Sequence, residues 1–139
     1  MMISTRGRYA LRMLVDMAEH RTEGYLPLKE IAERQCISEK YLESIVKTLV
    51  QNHILTGLRG KGGGYRLTRE PDQYTVASIL RLTEGTLAPV SCLENDDACG
   101  KTCDCASRLV WRRLQTSIEQ AMDAMTLSDM LNDYKGLHN

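Results

Sequence analysis

The feature that most constrains this chain is a glycine-rich run at residues 60–64, where four of the five residues are glycine. Glycine loses more backbone entropy on ordering than any other residue, so neither a helix nor a straight strand is expected to pass through such a run. The segments on either side, residues 54–59 and 65–68, alternate apolar with polar or small residues, as strands do. The run therefore predicts the tip of a β-hairpin, whose backbone is able to approach another surface such as a sugar-phosphate chain.

Glycine-rich loops bind nucleotides in some proteins, but this run fits neither of the common patterns. It lacks the spacing and the Ser/Thr of the GxxxxGK[ST] phosphate loop, and its glycines do not form GxGxxG. Nucleotide binding is therefore disfavoured.

The segment before the hairpin predicts three helices. Apolar residues recur at helical spacing over residues 4–19, and Pro27 is suited to the start of a second helix that runs to about Gln35. Ser38 is a good N-cap for a third helix, which runs to about Asn52. Two short helices joined by a turn of three or four residues form a helix-turn-helix, whose second helix lies in the DNA major groove. A hairpin directly after it is a wing.

The predicted DNA surface combines the polar face of this recognition helix with the wing. It consists of Ser38, Lys40, Tyr41, Glu43, Ser44, Arg59 and Lys61. The formal net charge is zero, but the N-terminal half is basic and the C-terminal half is acidic, which suits a polyanion bound by the N-terminal half. The alternative is a pair of packed helices with a solvated polar face; the wing that follows them favours promoter DNA.

A long amphipathic helix is predicted near the C-terminus, over residues 106–125. Its apolar residues recur at steps of three and four, at Trp111, Leu114, Ile118, Met122 and Met125. The winged domain is too small to cover this stripe, so we expect a homodimer. The alternative is that the first and last helices cover the stripe within one chain. A dimer would place two recognition helices on paired half-sites, so the expected operator is an imperfect palindrome.

The remaining C-terminal elements are short. A helix is predicted over residues 76–82 and closes at Gly85, and Thr126 is expected to cap a last short helix with a frayed end. The predicted fold class is mainly α-helical with a small β-hairpin. It comprises a winged helix-turn-helix DNA-binding domain at 1–85, a cysteine-bearing loop at 86–105, and a dimerisation helix with a tail at 106–139.

Four of the five cysteines lie close together in the irregular loop, at Cys92, Cys99, Cys103 and Cys105. Thiolates are soft ligands, so the group of four cysteines indicates an iron–sulfur centre. Zinc comes second, because structural zinc sites usually contain CxxC pairs and this loop has none. The same spacing is also compatible with a thiol redox switch or with unligated thiols. Cys36, in the helix-turn-helix, is expected to be a small buried hydrophobe.

The cellular compartment of the protein determines whether its cysteines are expected to form disulfides. No apolar run approaches the length of a membrane span, and the first residues show no export signal. We therefore expect a cytoplasmic protein without membrane association, whose cysteines are thiols or metal ligands instead of disulfides. The three histidines are scattered and no nucleophile pairs with a base, so the sequence predicts no enzyme. The rival class is an enzyme or enzyme subunit that uses an iron–sulfur cluster for electron transfer.

Taken together, several stretches resemble the IscR-type iron–sulfur cluster regulator family, which includes NsrR-type and CymR-type branches. They are STRGRYALRMLVDMA, SEKYLESIVKTLVQNHIL, LRGKGGGYRLTREP, the cysteine loop, RLVWRRL and TLSDML. The resemblance implies a dimeric winged helix-turn-helix that binds promoter DNA, mostly as a repressor, under the control of a 2Fe-2S or 4Fe-4S cluster. It also implies a role for Glu43 in base discrimination. The alternative within the family is a cluster-free repressor of the CymR kind that senses thiols or a small ligand.

The resemblance also implies a ligand set. Cys92, Cys99 and Cys105 match the three cluster cysteines of the family. IscR-type members complete the site with a histidine three residues later, where this chain has Arg108, and NsrR-type members use an acidic residue of the partner's first helix, where it has Arg8. The extra cysteine, Cys103, is the leading candidate for a fourth ligand.

Overall fold

In the computed structural model, which describes residues 3–95, 100 and 104–138, this part of the chain forms six helices and one two-stranded antiparallel sheet. The elements are α1 (Thr5–Glu19), α2 (Leu28–Gln35), α3 (Glu39–Gln51), β1 (Leu55–Leu58), β2 (Gly64–Leu67), α4 (Val76–Glu84), α5 (Ala106–Asp123) and α6 (Leu127–Leu137). Single 3-10 turns lie at Pro71–Gln73 and Ser91–Leu93. The predicted fold class, mainly α-helical with a β-hairpin, is confirmed.

Side-chain caps begin four of the helices at the positions where the sequence carries hydroxyl residues. Ser4, Ser38 and Thr75 each accept a hydrogen bond from a backbone N–H in the first turn of α1, α3 and α4. Thr126 does the same for α6, and the side chain of Asp129 accepts from the N–H of Thr126 at 2.9 Å. Each bond satisfies a donor that the helix leaves without an internal partner.

The C-terminal helix differs from its expectation. The sequence predicted a last short helix with a frayed end, but α6 is 11 residues long and continues to Leu137. Leu127 and Leu131 are buried and Met130 is partly buried against the core, so packing on α1 stabilises the helix beyond its capping box.

The core is built around α1, whose apolar face carries Ala10, Met13 and Leu14 fully out of solvent. Buried residues of α2, α3, α4 and α6 join the same core cluster, and each of these helices contacts α1. Burial of an apolar side chain of this size contributes about 1.5–3 kcal/mol, so these contacts supply most of the attraction between the helices.

The wing is held by a third segment of backbone. β1 pairs with β2 from Leu55↔Leu67 to Leu58↔Gly64. On the other side of β2, the N–H of Leu26 donates to the carbonyl of Tyr65 at 2.8 Å, and the N–H of Tyr65 donates to the carbonyl of Leu26 at 2.9 Å. A Cβ at Gly64 would overlap the Leu26 carbonyl, so this glycine is required by the fold itself.

One buried charge connects α1 to the end of α2. The Asp16 side chain, in a residue only 2% exposed, accepts hydrogen bonds from Arg34 Nε at 3.0 and 3.1 Å, from Arg34 Nη2 at 2.6 Å and from Gln35 Nε2 at 2.8 Å. These bonds to Asp16 raise the pKa of Arg34 above its ordinary value. The last turn of α2 is thereby fixed on α1.

We predict that Asp16→Asn lowers the free energy of unfolding by roughly 2–4 kcal/mol, because it leaves Arg34 without its buried counter-charge. Urea denaturation followed by circular dichroism measures this. The matched control is Asp123→Asn, which breaks an exposed pair with Arg81 at 3.1 Å and is expected to cost less than about 1 kcal/mol. Equal costs for the two variants would contradict the role given to Asp16.

Candidate nucleic-acid interface and cysteine site

A groove of about 680 Å³ lies between α3 and the wing. One wall comes from the exposed face of α3, with Glu39, Glu43, Lys47 and Gln51. The other wall comes from the hairpin and consists of Gly57, Leu58, Arg59, Gly60, Gly63, Gly64 and Tyr65. The recognition helix and the wing therefore face a common space, as a winged helix requires for binding DNA.

The structure brings two of the predicted DNA-binding residues together in this groove, Glu43 from α3 and Arg59 from the wing. The other predicted residues are exposed but do not line the groove: Ser38, Lys40, Tyr41, Ser44 and Lys61. Gln51 and Tyr65 line the groove and were not predicted, since the sequence gives no signal for how the hairpin tilts toward α3.

Three of the polar side chains on α3 already make contacts within the protein. Ser38 Oγ accepts the N–H of Tyr41 at 3.1 Å as the N-cap, and Ser44 Oγ donates to the Tyr41 carbonyl at 2.7 Å. The Tyr41 ring meets the edge of Tyr9 at a centroid distance of 5.6 Å. Arg6 of α1, which the sequence left without a role, donates to α3 from 38 and 42 positions away. No local pattern predicts a contact at that separation.

The turn at the tip of the wing requires glycine. Gly60 and Gly62 adopt φ of +92° and +75°, the left-handed region that favours glycine, and the Gly63 N–H donates to the Gly60 carbonyl at 3.0 Å. A tight turn therefore ends the wing and leaves Lys61 exposed between two glycines.

Cys36 does not lie in the core, and the prediction that it is buried was wrong. It ends α2 in a left-handed conformation with φ of +54°, and its side chain is exposed. The neighbouring residue, Ile37, supplies the buried apolar side chain of the turn.

Two of the four loop cysteines lie within the described residues, and the structure places them at the start of α5. Cys92 belongs to the 3-10 turn Ser91–Leu93, and Cys105 is the residue before α5. Arg108 Nη2 donates to the Cys92 carbonyl at 3.2 Å, which holds the turn against the first turn of α5. Cys99 and Cys103 lie outside the described residues.

The surroundings of Cys105 favour its thiolate. Its Sγ lies 3.2 Å from Ser107 Oγ, and this hydrogen bond, followed by one from the Arg108 backbone, lowers the thiol pKa below its ordinary value. A thiolate is the form that binds metals and attacks oxidants, so the donor chemistry fits both a cluster ligand and a redox-active thiol. Within residues 3–95, 100 and 104–138, no three His, Cys, Asp or Glu side chains are grouped to hold a metal ion.

The helix that follows the cysteines leaves apolar side chains in solvent. None of the residues of α5 is buried, and Leu109 and Leu114 are 63% and 44% exposed, with Val110 and Trp111 beside them. α5 contacts α4 and the 3-10 turn at Cys92, and Met122 packs on the small cluster that includes Leu80. The first and last helices therefore do not cover the stripe within the chain. No helix in the described part is long and apolar enough to cross a bilayer.

Comparison with known proteins gives a consistent result. Residues 3–133 match the family described as "Rrf2: Iron-dependent Transcriptional regulator". The chain is 37% identical over 130 residues to the HTH-type transcriptional regulator CymR of Bacillus subtilis, covering 94% of this chain and 89% of CymR. Its fold is similar to the solved structure of that CymR, with a TM-score of 0.80, 36% identity and coverage of 95% and 97% of the two chains. It is also similar to the structure of T. potens IscR, with a TM-score of 0.78, 36% identity and coverage of 96% and 88%.

We predict that Ser107→Ala raises the pKa of the Cys105 thiol toward its ordinary value, because the largest thiolate-stabilising hydrogen bond is lost. At neutral pH the thiolate fraction falls, so alkylation by iodoacetamide slows at Cys105. Mass spectrometry of the metal-free protein, quantified for each cysteine over a range of pH, measures the change. Alkylation of the exposed Cys36 serves as the internal control and is expected to stay the same. An unshifted pH profile at Cys105 would contradict the assigned cause.

Proposed function

Because this chain belongs to the Rrf2 family of transcriptional regulators, we propose that it is a cytoplasmic homodimeric repressor whose DNA binding is controlled by an iron–sulfur cluster on its cysteines. Its relatives are named as transcriptional regulators, in agreement with the expectation that it is no enzyme. The observation that carries the proposal is the common groove between the exposed face of α3 and the wing.

The groove supplies complementary means of contacting DNA. Glu43 is an acceptor suited to the amino group of cytosine in the major groove, and Arg59 is a donor suited to base edges or to the backbone. Lys61 lies at the tip of the wing, where a cation contacts phosphates. Phosphate contacts fix the register of the protein on the duplex, whereas base contacts supply sequence preference. Ser38, Lys40, Tyr41 and Ser44 complete the proposed surface.

We expect Arg59→Ala and Lys61→Ala to weaken binding in different ways. Loss of Arg59 removes a base contact and costs about 1–3 kcal/mol for the operator only. Loss of Lys61 removes a phosphate contact, so it weakens binding to all duplexes and lowers the slope of log affinity against log salt by about 0.9. Fluorescence anisotropy titrations at several salt concentrations separate the two. Unchanged operator affinity in Arg59→Ala would show that the wing does not bind DNA there.

A second copy of the chain is the proposed cover for the exposed apolar face of α5. We assign residues 1–85 to DNA binding, 86–105 to the sensing loop and 106–139 to the dimerisation helix and the C-terminal tail. Paired α5 helices would bury Trp111 and Leu114 and would set the two recognition helices on half-sites about 34 Å apart, or a multiple of that distance. The operator is then an imperfect palindrome.

We predict that Leu114→Glu converts the dimer to a monomer, since a carboxylate would have to be buried in an apolar interface. Thr116→Glu is the control, because position 116 lies about 200° around the helix from position 114. Analytical ultracentrifugation at micromolar concentration distinguishes the two species. A monomeric unaltered protein would contradict the proposed dimer, and so would a dimer that survives Leu114→Glu.

The proposed cluster ligands are Cys92, Cys99 and Cys105, with Cys103 as the fourth. The support is that Arg108 holds the turn of Cys92 against the start of α5, beside the thiolate-favouring site of Cys105. A bound cluster, either 2Fe-2S or 4Fe-4S, would supply an oxidant-sensitive centre at this junction between the winged domain and α5. The chain's own contribution is to orient the thiolates and to connect the loop to α5.

The second candidate is a cluster-free repressor that senses oxidants or a small ligand through its thiols. The observation that favours it is the partly exposed Cys105 with its lowered pKa, together with a similarity to CymR that equals the similarity to IscR.

We expect Cys92→Ala, Cys99→Ala and Cys105→Ala each to abolish cluster assembly, because each removes a thiolate ligand. Cys103→Ala should give partial loss or an altered spectrum, and Cys36→Ala is the matched control that should retain the cluster. The measurement is anaerobic reconstitution followed by iron and sulfide analysis and an absorption spectrum. Colourless protein that binds promoter DNA in every case would favour the cluster-free candidate.

A further inference from the structure

Three residues of α1, spaced three apart, form a line of contacts with the helix-turn-helix. We call Arg6, Tyr9 and Arg12 the α1 brace. None of them belongs to the helix-turn-helix or to the wing.

The first member of the brace holds the middle of the recognition helix. Arg6 Nη2 donates to the Ser44 carbonyl at 3.1 Å and to Thr48 Oγ1 at 2.6 Å. The two acceptors belong to residues four apart on one side of α3, so a single guanidinium nitrogen holds this side of α3 on α1.

The other two members hold the start of α3 and the turn before it. The Tyr9 ring meets the Tyr41 ring edge-on with an interplanar angle of 85°. Arg12 lies over the Tyr9 ring at 5.2 Å from its centroid, and its guanidinium donates to the side chain and the backbone carbonyl of Gln35 at the end of α2. The brace therefore contacts the helix-turn-helix at the middle of α3, at the first turn of α3 and at the end of α2.

The rest of the α3 packing is apolar, through Leu42, Ile45 and Leu49. Apolar attraction is not directional, so it holds α3 against the core but specifies its rotation weakly. Hydrogen bonds to a guanidinium are directional. Base recognition depends on this precision because bidentate contacts with base edges tolerate little displacement.

We propose that Arg6 is a positioning residue for operator recognition, which sets the rotation of α3 through Thr48 and Ser44 and thereby determines base specificity. The inference rests on the proposed function, since it takes α3 as the helix that binds bases. Arg6 acts through α3 and contributes little to the affinity for DNA of arbitrary sequence.

The test uses the full chain and two kinds of duplex: one enriched from random DNA by the unaltered protein, and one of scrambled sequence. Arg6→Gln removes the guanidinium with its charge and leaves a shorter side chain, and Thr48→Val removes the hydroxyl acceptor without changing charge. Arg8→Gln is the charge-matched control, since the hydrogen bond of Arg8 to Thr5 Oγ1 at 3.1 Å lies within α1. Circular dichroism first establishes that each variant is folded. Fluorescence anisotropy titrations with both duplexes are then made at several salt concentrations.

We expect Arg6→Gln and Thr48→Val to bind the selected duplex roughly fivefold to tenfold more weakly. Binding to the scrambled duplex and the salt dependence should stay as in the unaltered protein. The double variant should bind the selected duplex no more weakly than Arg6→Gln does, because both substitutions remove the same contact between Arg6 and Thr48. Arg8→Gln should match the unaltered protein.

Three results would overturn the inference. Equal losses on both duplexes with a flatter salt dependence would make Arg6 a phosphate contact. Additive losses in the double variant would show that Arg6 does not act through Thr48, and an equal loss in Arg8→Gln would reduce the effect to net charge. Enrichment of no duplex by the unaltered protein would instead overturn the proposed function, and this inference with it.

Discussion

Asp16 brings a carboxylate into the interior of the protein, and a charge placed there has to be matched by hydrogen bonds to be tolerated. The side chains that donate to it, Arg34 and Gln35, belong to the last turn of α2. The position of α2 on α1 is therefore specified by these hydrogen bonds as well as by apolar packing. Since α2 and α3 are joined by only three residues, the same interaction limits where the recognition helix can lie.

The proposed DNA-binding groove and the cysteine site lie in different parts of the molecule. The groove proposed to bind DNA lies between α3 and the wing, and the cysteine site lies at the start of α5, which packs on α4. α4 in turn contacts both α1 and α3. Packed helices therefore connect the cysteine site to α3, through α5 and α4.

Local features of the fold could be predicted from the sequence, whereas contacts between distant residues could not. The hydroxyl caps at Ser38 and Thr126 and the hairpin depend on a few neighbouring residues, and each was found where the pattern indicated. The exposed position of Cys36 depends on how α2 ends. The hydrogen bond from Arg6 to Thr48 depends on how closely α1 and α3 pack. Composition and spacing carry no information about either. That Glu43 and Arg59 lie near each other could be predicted, because a helix face and a wing were evident, but the position of Tyr65 in the same groove follows from the tilt of the hairpin.

The backbone pairing between Leu26 and Tyr65 joins the wing to the segment that leads into α2. The two hydrogen bonds therefore set the spacing between the wing and the helix-turn-helix that α2 begins. When the groove of a DNA site does not match this fixed spacing, the duplex has to bend or twist to fit. The energy of that deformation depends on the stiffness of base steps that no side chain contacts. For a winged helix that binds DNA with this spacing, the operator is expected to show base preferences beyond the positions that the protein touches.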